Sequence, residues 1–447
     1  RSPRLVDMES LGLDYMESLG DSVLCSLSLF SGGGLGDLGI SYGCDIPVIS
    51  ACEIIPSRAS LIERNHPETR VFEGDVWELC GEIVQHALQS LDGRRPWLVT
   101  LSPPCQGMSS NGAGRISAAI KDGKRPAEDA RNRLIIPGIH VLEQLQPDWF
   151  VLENVSRMEN TVITNEKGEP ENILDLLARR LNTFGYTIRS AIVEFQRLGV
   201  PHNRRRLITI GCRLSSVVEQ VQPGEVFQSE PSFLHPIYDH DPITLSEAIG
   251  HLPPLDSISN PQDLDDEWHR VPTWNEDQYH WMSHTPEGRT AFDNDTCIVC
   301  ETVTGDSAAV DCGECGEPLP RPQKVGECGN RRLIKGFRTS YRRLSWDKLA
   351  STLTMNSGVI SSDMKGHPSQ NRVLSLREIL ILSTVCNRPG VSYPWNGSYN
   401  FGKPIDNRLV RQVVGESIPP LAMARIVGRL IDLDPRLSSK TIAPKKT

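Results

Sequence analysis

Between residues 23 and 211 short β-rich apolar runs alternate with amphipathic stretches, and this rhythm constrains the fold more than any other feature of the chain. The runs fall at 23–30, 48–52, 97–101, 149–152, 191–195 and 207–212. Between them apolar residues recur at helical spacing, as in Leu134, Ile135, Ile139, Leu142 and Leu145. Alternation of this kind predicts βαβ units wound into a mostly parallel sheet, an α/β fold. Beyond Arg213 the rhythm lapses. Pro, Asp, His and Trp accumulate through 256–284 and cysteine pairs follow; periodicity returns at 374–382 and 418–433. The pattern predicts an N-terminal extension at 1–22, an α/β domain built from 23–212 and 367–435, a loop-rich module at 213–366 and a tail at 436–447. A chain of 447 residues has room for both a large domain and a second module.

Composition excludes several classes. With 38% hydrophobic and 23% charged residues, 36 Gly and 32 Pro, the chain reads as globular and rich in loops, not fibrous or disordered. No apolar stretch approaches membrane-spanning length. Asp7, Glu9, Asp14 and Glu17 interrupt the first 21 residues, which is unlike a secretion signal. Because the chain opens on Arg1 rather than Met, further domains are expected outside it. A net charge of -9 argues against indiscriminate adhesion to nucleic acid. Arg204, Arg205 and Arg206, with the pairs Arg331–Arg332 and Arg342–Arg343, nevertheless allow a cationic groove on an acidic body. The twelve cysteines are unevenly spaced, which fits a reducing compartment better than a secreted disulfide scaffold.

Three segments place chemistry at strand ends. Leu27 to Gly36 runs an apolar strand into the glycines Gly32, Gly33 and Gly34, where backbone can approach a ligand at the carboxyl edge of a sheet. A tight connection without ligand is the alternative for such a turn alone. Glu53 after the second run adds the acidic partner that ribose hydroxyls use, and with Asp75, which ends a further predicted strand in Glu73-Gly74-Asp75-Val76, it favours an adenosine-containing cofactor. Pro103 and Pro104 then stiffen a turn that presents Cys105 before the small, polar segment from Gln106 to Arg115. That placement favours a nucleophile over a packing residue. Glu153, Asn154 and Val155 end the neighbouring run, and Arg204 to Arg206 precede the last one.

Taken in order, Phe-Ser-Gly-Gly-Gly, Glu53, Gly74-Asp75, Pro103-Pro104-Cys105-Gln106, Glu153-Asn154-Val155, Gly-Val-Pro before Arg-x-Arg and a closing Gly-x-Ser-Ile-Pro-Pro resemble the DNA (cytosine-5) methyltransferases, over about residues 23–433. The resemblance implies a Rossmann-like S-adenosylmethionine-dependent domain with an inserted target recognition module, acting on double-stranded DNA as a monomer. It implies catalytic roles for Cys105, Glu153, Arg204 and Arg206. Cofactor contacts would come from Phe30, Ser31, Gly32, Gly34, Glu53, Ile54, Asp75, Val76, Pro103 and Ser417. Gln106, Ser109, Ser110, Asn111 and Arg115 would contact DNA and fill the space of a base that leaves the stack. Leu35, Ser102, His202 and Glu416 depart from the family pattern. A sister group acts on transfer RNA, but its Cys-Phe-Thr segment is absent here. A silent DNA-binding homologue is a third reading, against which Cys105 and Glu153 speak. Location follows source, the nucleus for a eukaryote, which is favoured here, and the cytoplasm for a bacterium. Chromatin partners are expected in the first case.

Cys297-x-x-Cys300 and Cys312-x-x-Cys315 have the spacing of a four-cysteine structural zinc site. Two disulfides or four free thiols are the alternatives, and a reducing compartment favours zinc. Cys328, His280 and His284 can support or substitute.

Overall fold

The computed structural model describes residues 16–104, 129–218, 240–335, 339–362 and 364–437. The chain packs as two compact units: Arg1–Leu198, Arg205–His240 and Pro420–Thr447 form the first, Gly199–Arg204 and Asp241–Pro419 the second.

The first unit is built on a seven-stranded sheet. Its strands are β1 (Ser22–Leu29), β2 (Val48–Glu53), β3 (Arg70–Glu73), β4 (Arg95–Leu101), β5 (Trp149–Asn154), β6 (Thr187–Glu194) and β7 (Arg205–Cys212), in the order β3-β2-β1-β4-β5-β7-β6. β3 through β5 run parallel, whereas β7 lies antiparallel between β5 and β6. The described helices of this unit include α1 (Leu35–Cys44), α2 (Pro56–Asn65), α3 (Val76–Ser90), α4 (Ile135–Leu145), α5 (Ile173–Leu181) and α6 (Pro420–Leu433). Their starts follow local chemistry: α2 has proline in its first turn, while Asp75 and Asn172 cap α3 and α5 by accepting from backbone N–H groups. Strands covered on both faces read as continuous apolar runs, which is why 97–101 and 149–152 were legible. Leu27, Leu29, Val99, Leu101, Phe150 and Leu152 pack with Ile139 and Leu142 in the main core. At Gly211 an added methyl would overlap the Phe150 ring, and at Gly39 it would overlap the Pro420 carbonyl, so helix α6 comes down directly on α1.

The second unit carries little regular structure: described helices at Leu245–Ile249, Glu276–Ser283, Leu376–Leu382 and Asn407–Glu416, and a short hairpin pairing Gln323–Val325 with Arg331–Leu333. An apolar cluster of Trp274, Trp281, Met282, Tyr341, Ile360 and Val373 anchors part of it. Buried arginines organise much of the rest. Arg343 donates to the carbonyls of Met282, Thr285, His367 and Gln370 and to the Asn371 side chain. Burial pulls its guanidinium down to about 10. Arg321 likewise reaches the carbonyls of Asn294, Asp306 and Ala309. Loops that could not otherwise satisfy their buried carbonyls do so through these side chains.

The sequence pattern returned the chain to the α/β domain at 367, whereas the structure packs 367–419 with the insert and only Pro420 onward with the sheet. The physical reason is polar. Arg377 pairs with Asp266 at 2.6 Å, Ser375 bonds His269 at 2.9 Å, and the Leu376 amide bonds the Arg270 carbonyl. Apolar periodicity identifies a helix but not the unit against which it packs.

Candidate active site at the sheet edge

Parallel register sets the functional residues in a row. Leu29 lies opposite both Cys52 and Leu101, and Leu101 lies opposite Leu152, so the next residues along, Phe30, Glu53, Ser102 and Glu153, emerge together at the carboxyl edge. That is where doubly wound sheets bind ligands.

The glycine turn is tightly wound. Phe30, Gly32 and Gly34 have φ of 58°, 58° and 73°, and for Phe30 this left-handed conformation is strained. The strain is held by Ser31, whose amide bonds the Cys52 carbonyl at 3.0 Å and whose hydroxyl bonds Ser28. Glu53, buried at the end of β2, accepts from the Gly32 and Ile55 amides, each at 2.9 Å, with one oxygen apiece. Asp75, half-buried, caps α3, and Val76 is buried beside it; the Ile54 side chain is exposed.

Under this turn lie two residues to which the sequence reading gave no role. His66 Nε2 is 3.0 Å from the Gly34 carbonyl, and its ring fills the space a side chain at Gly34 would need. Asp37 is buried in the first turn of α1; burial pushes its carboxyl up, against the pull of His66 and Ser28. A carboxylate on the apolar face of a predicted helix was the signal that could have found it.

The proline turn is fixed from β5. Asn154 donates to the Pro103 carbonyl at 2.9 Å, and its own oxygen accepts from the Val155 amide. The Ser102 amide bonds the Leu29 carbonyl. Glu153, buried, pairs with Arg206 at 2.8 Å from Nε to Oε1. The antiparallel register explains the meeting, since Glu153 lies opposite Ile208 on β7, two residues beyond Arg206. An acidic side chain is thus paired with a guanidinium one strand from the proline turn, along the same sheet edge as the glycine loop and the buried carboxylate of Glu53.

Residues 24–432 match the family model described as C-5 cytosine-specific DNA methylase. The chain belongs to that family. Curated relatives are bacterial. Type II methyltransferase M1.HgaI of Avibacterium volantium is 29% identical over 426 residues, covering 92% of this chain and 98% of that protein. Type II methyltransferase M1.HphI of Haemophilus parahaemolyticus is 26% identical, covering 92% and 87%. The solved structure of a Spodoptera frugiperda DNMT2 triple mutant shares the fold, with a TM-score of 0.53, 15% identity and coverage of 91% and 99%. The protein is therefore an S-adenosylmethionine-dependent DNA (cytosine-5) methyltransferase with a Rossmann-like sheet. Its bacterial relatives give no support to the nuclear preference or to chromatin partners.

The other sequence candidates divide. Cys105, Gln106, Ser109, Ser110, Asn111 and Arg115 lie outside the described residues. Arg204 and Ser417 belong to the second unit. Arg204 is buried and donates to the carbonyls of Gly415 and Glu416, each at 3.1 Å, at the end of helix Asn407–Glu416. A guanidinium at helix C-terminal carbonyls is a structural arrangement. Of the two arginines weighed for the base, Arg206 is the one paired with Glu153. Ser417 closes the same helix, its amide bonding the Val413 carbonyl.

In the second unit the Sγ atoms of Cys297, Cys300, Cys312 and Cys315 all lie within 4.8 Å of one another. Cys297–Cys315 and Cys300–Cys312 are 3.5 Å apart, too far for disulfides. The two knuckles repeat one geometry: the fourth residue after the first cysteine, Glu301 or Gly316, is left-handed, and its amide bonds the carbonyl of Cys297 or Cys312. Cys328, His280 and His284 are not in the cluster.

Proposed function

We propose that Cys105, Glu153 and Arg206 carry out methylation at carbon 5 of a cytosine turned out of the duplex. The observation that carries this reading is the Glu153–Arg206 pair, one strand from a proline turn held by Asn154. Cys105 directly follows Pro104 in the sequence.

Carbon 5 of cytosine is a weak nucleophile. Attack by the Cys105 thiolate on carbon 6 forms the S–C6 bond and pushes electron density to carbon 5. Glu153 would accept from the exocyclic amine and share a proton with N3 as negative charge develops there, and Arg206 would orient Glu153 and bind the carbonyl oxygen. Bound S-adenosylmethionine would supply an electrophilic methyl group, its S–CH3 bond breaking as S-adenosylhomocysteine leaves. Once carbon 5 carries that methyl, a base takes its proton, the electron pair restores the ring double bond, and the S–C6 bond breaks to return the thiolate. The residues present fit the cofactor: a strained glycine backbone, the buried carboxylate of Glu53 at the carboxyl edge, and Asp75 with Val76 just after β3. Ser417 would face the methionine end.

In the second unit the four thiols fit structural zinc. Tetrahedral Zn–S bonds of about 2.3 Å require sulfurs about 3.8 Å apart, close to the observed arrangement. Four thiolates leave no open position, so the metal would fold the module and take no part in chemistry. The insert at 213–366 would hold the target duplex and the enzyme would act as a monomer; its bacterial relatives support a role in restriction–modification in the cytoplasm.

The test is transfer of radiolabelled methyl to duplex DNA or transfer RNA. Label should enter DNA, with Cys105→Ser abolishing transfer; label in RNA alone, or turnover by the variant, contradicts the reading.

A further inference from the structure

The knuckle segment and the hairpin that follows it have opposite charge. Residues 293–317 contain Asp293, Asp295, Glu301, Asp306, Asp311, Glu314 and Glu317 and not one Lys or Arg. Residues 321–335 contain Arg321, Lys324, Arg331, Arg332 and Lys335 against a single acid, Glu327. Arg321 is buried and spent on loop carbonyls. The other cations are exposed.

The hairpin register gives the positive charge a direction. Lys324 lies directly opposite Arg332, so both side chains leave the same face. Like charges facing each other across a two-stranded ribbon destabilise it, and no described carboxylate pairs with either. On the opposite face Arg331 is tied to Asp311 at 3.2 Å, the residue before Cys312, and Gln323 bonds the Leu319 carbonyl. One face therefore ties the ribbon to the second knuckle, and the other presents two cations with no ion-pair partner among the described residues.

We propose that the Lys324–Arg332 face grips the phosphate backbone of duplex DNA. The occupant follows from charge complementarity: this enzyme acts on a polyanion, its chain is net acidic, and the adjoining knuckle would be repelled by phosphate. Binding of this kind fixes position without reading bases. The inference rests on the proposed role of the 213–366 insert in holding the duplex and deepens it by naming the residues that meet phosphate; it does not depend on the metal or on Cys105.

The test compares the full chain with Lys324→Ala/Arg332→Ala by fluorescence anisotropy on duplex DNA at several salt concentrations. Each phosphate contact contributes about 0.9 to the slope of log K against log salt, so the slope should fall by about 2 in the double variant. The loss of affinity should be equal for duplexes of different sequence, with S-adenosylmethionine binding unchanged. An unchanged slope overturns the proposal. A loss confined to one sequence also overturns it, because that result belongs to base contact.

Discussion

The two units solve the same problem, satisfying buried backbone, by different means. In the first, ladder hydrogen bonds do it, and what remains to be buried is apolar: Val99, Phe150 and Leu152 sit inside a sheet covered on both faces. In the second, few strands exist among the described residues, and side chains take over, with Arg343 and Arg321 collecting loop carbonyls and Arg372 pairing with Glu378. A sheet tolerates exchange of one apolar residue for another of like volume. A polar network fails when one member is removed, because the others are left buried and unpaired.

The largest expected effect exploits that contrast. Glu378 and Arg372 are both 1% exposed and make two bonds of 2.7 Å. Glu378→Ala should cost about 3–5 kcal/mol in the second unit, read as lost hydrogen-exchange protection over 241–419 with the sheet protected as before. Equal loss in both units would erase the distinction drawn here.

At the site, Asn154→Ala removes the clamp on Pro103. Methyl transfer should fall up to about 100-fold, since displacement of a reacting group by about 1 Å costs that much, while cofactor binding stays intact. Gly211→Ala forces a methyl against Phe150 and should destabilise the first unit by about 1–3 kcal/mol; Phe150→Leu in the same chain should recover part of it.

Acid should also separate the units. Burial opposes ionisation of Glu378, yet Arg372 outweighs it and holds the carboxyl at about 2 instead of 4.5. A depressed carboxyl contributes stability that is full above the ordinary value and lost as pH falls toward the folded one. Burial also holds His367 down to about 3 from 6.5, and the same sign applies. Exchange protection in the second unit should therefore weaken from about pH 6.5 downward, with steeper loss below about 4.5. In the first unit buried Asp37, whose carboxyl is raised, works in the opposite direction.

The contrast also explains what the sequence disclosed. The strands, the glycine turn, Glu53 and Glu153 were legible because buried parallel strands and their carboxyl ends have strong local signatures. The four cysteines were legible because spacing alone nearly fixes a knuckle. Assignment of 367–419 was not, since Arg377–Asp266 and Arg372–Glu378 carry no periodicity. The different partners of Arg204 and Arg206 were likewise invisible: two residues apart, one bonds helix carbonyls and the other Glu153.

The most direct measurement of the central claim uses duplex DNA carrying 5-fluorocytosine at the target, incubated with the enzyme and S-adenosylmethionine and then denatured. Fluorine cannot leave as a cation, so the account predicts a protein–DNA adduct that survives denaturation in the native chain and is absent in Cys105→Ser. Turnover of ordinary DNA with no adduct on the fluorinated duplex, or an adduct that persists in the variant, would contradict it.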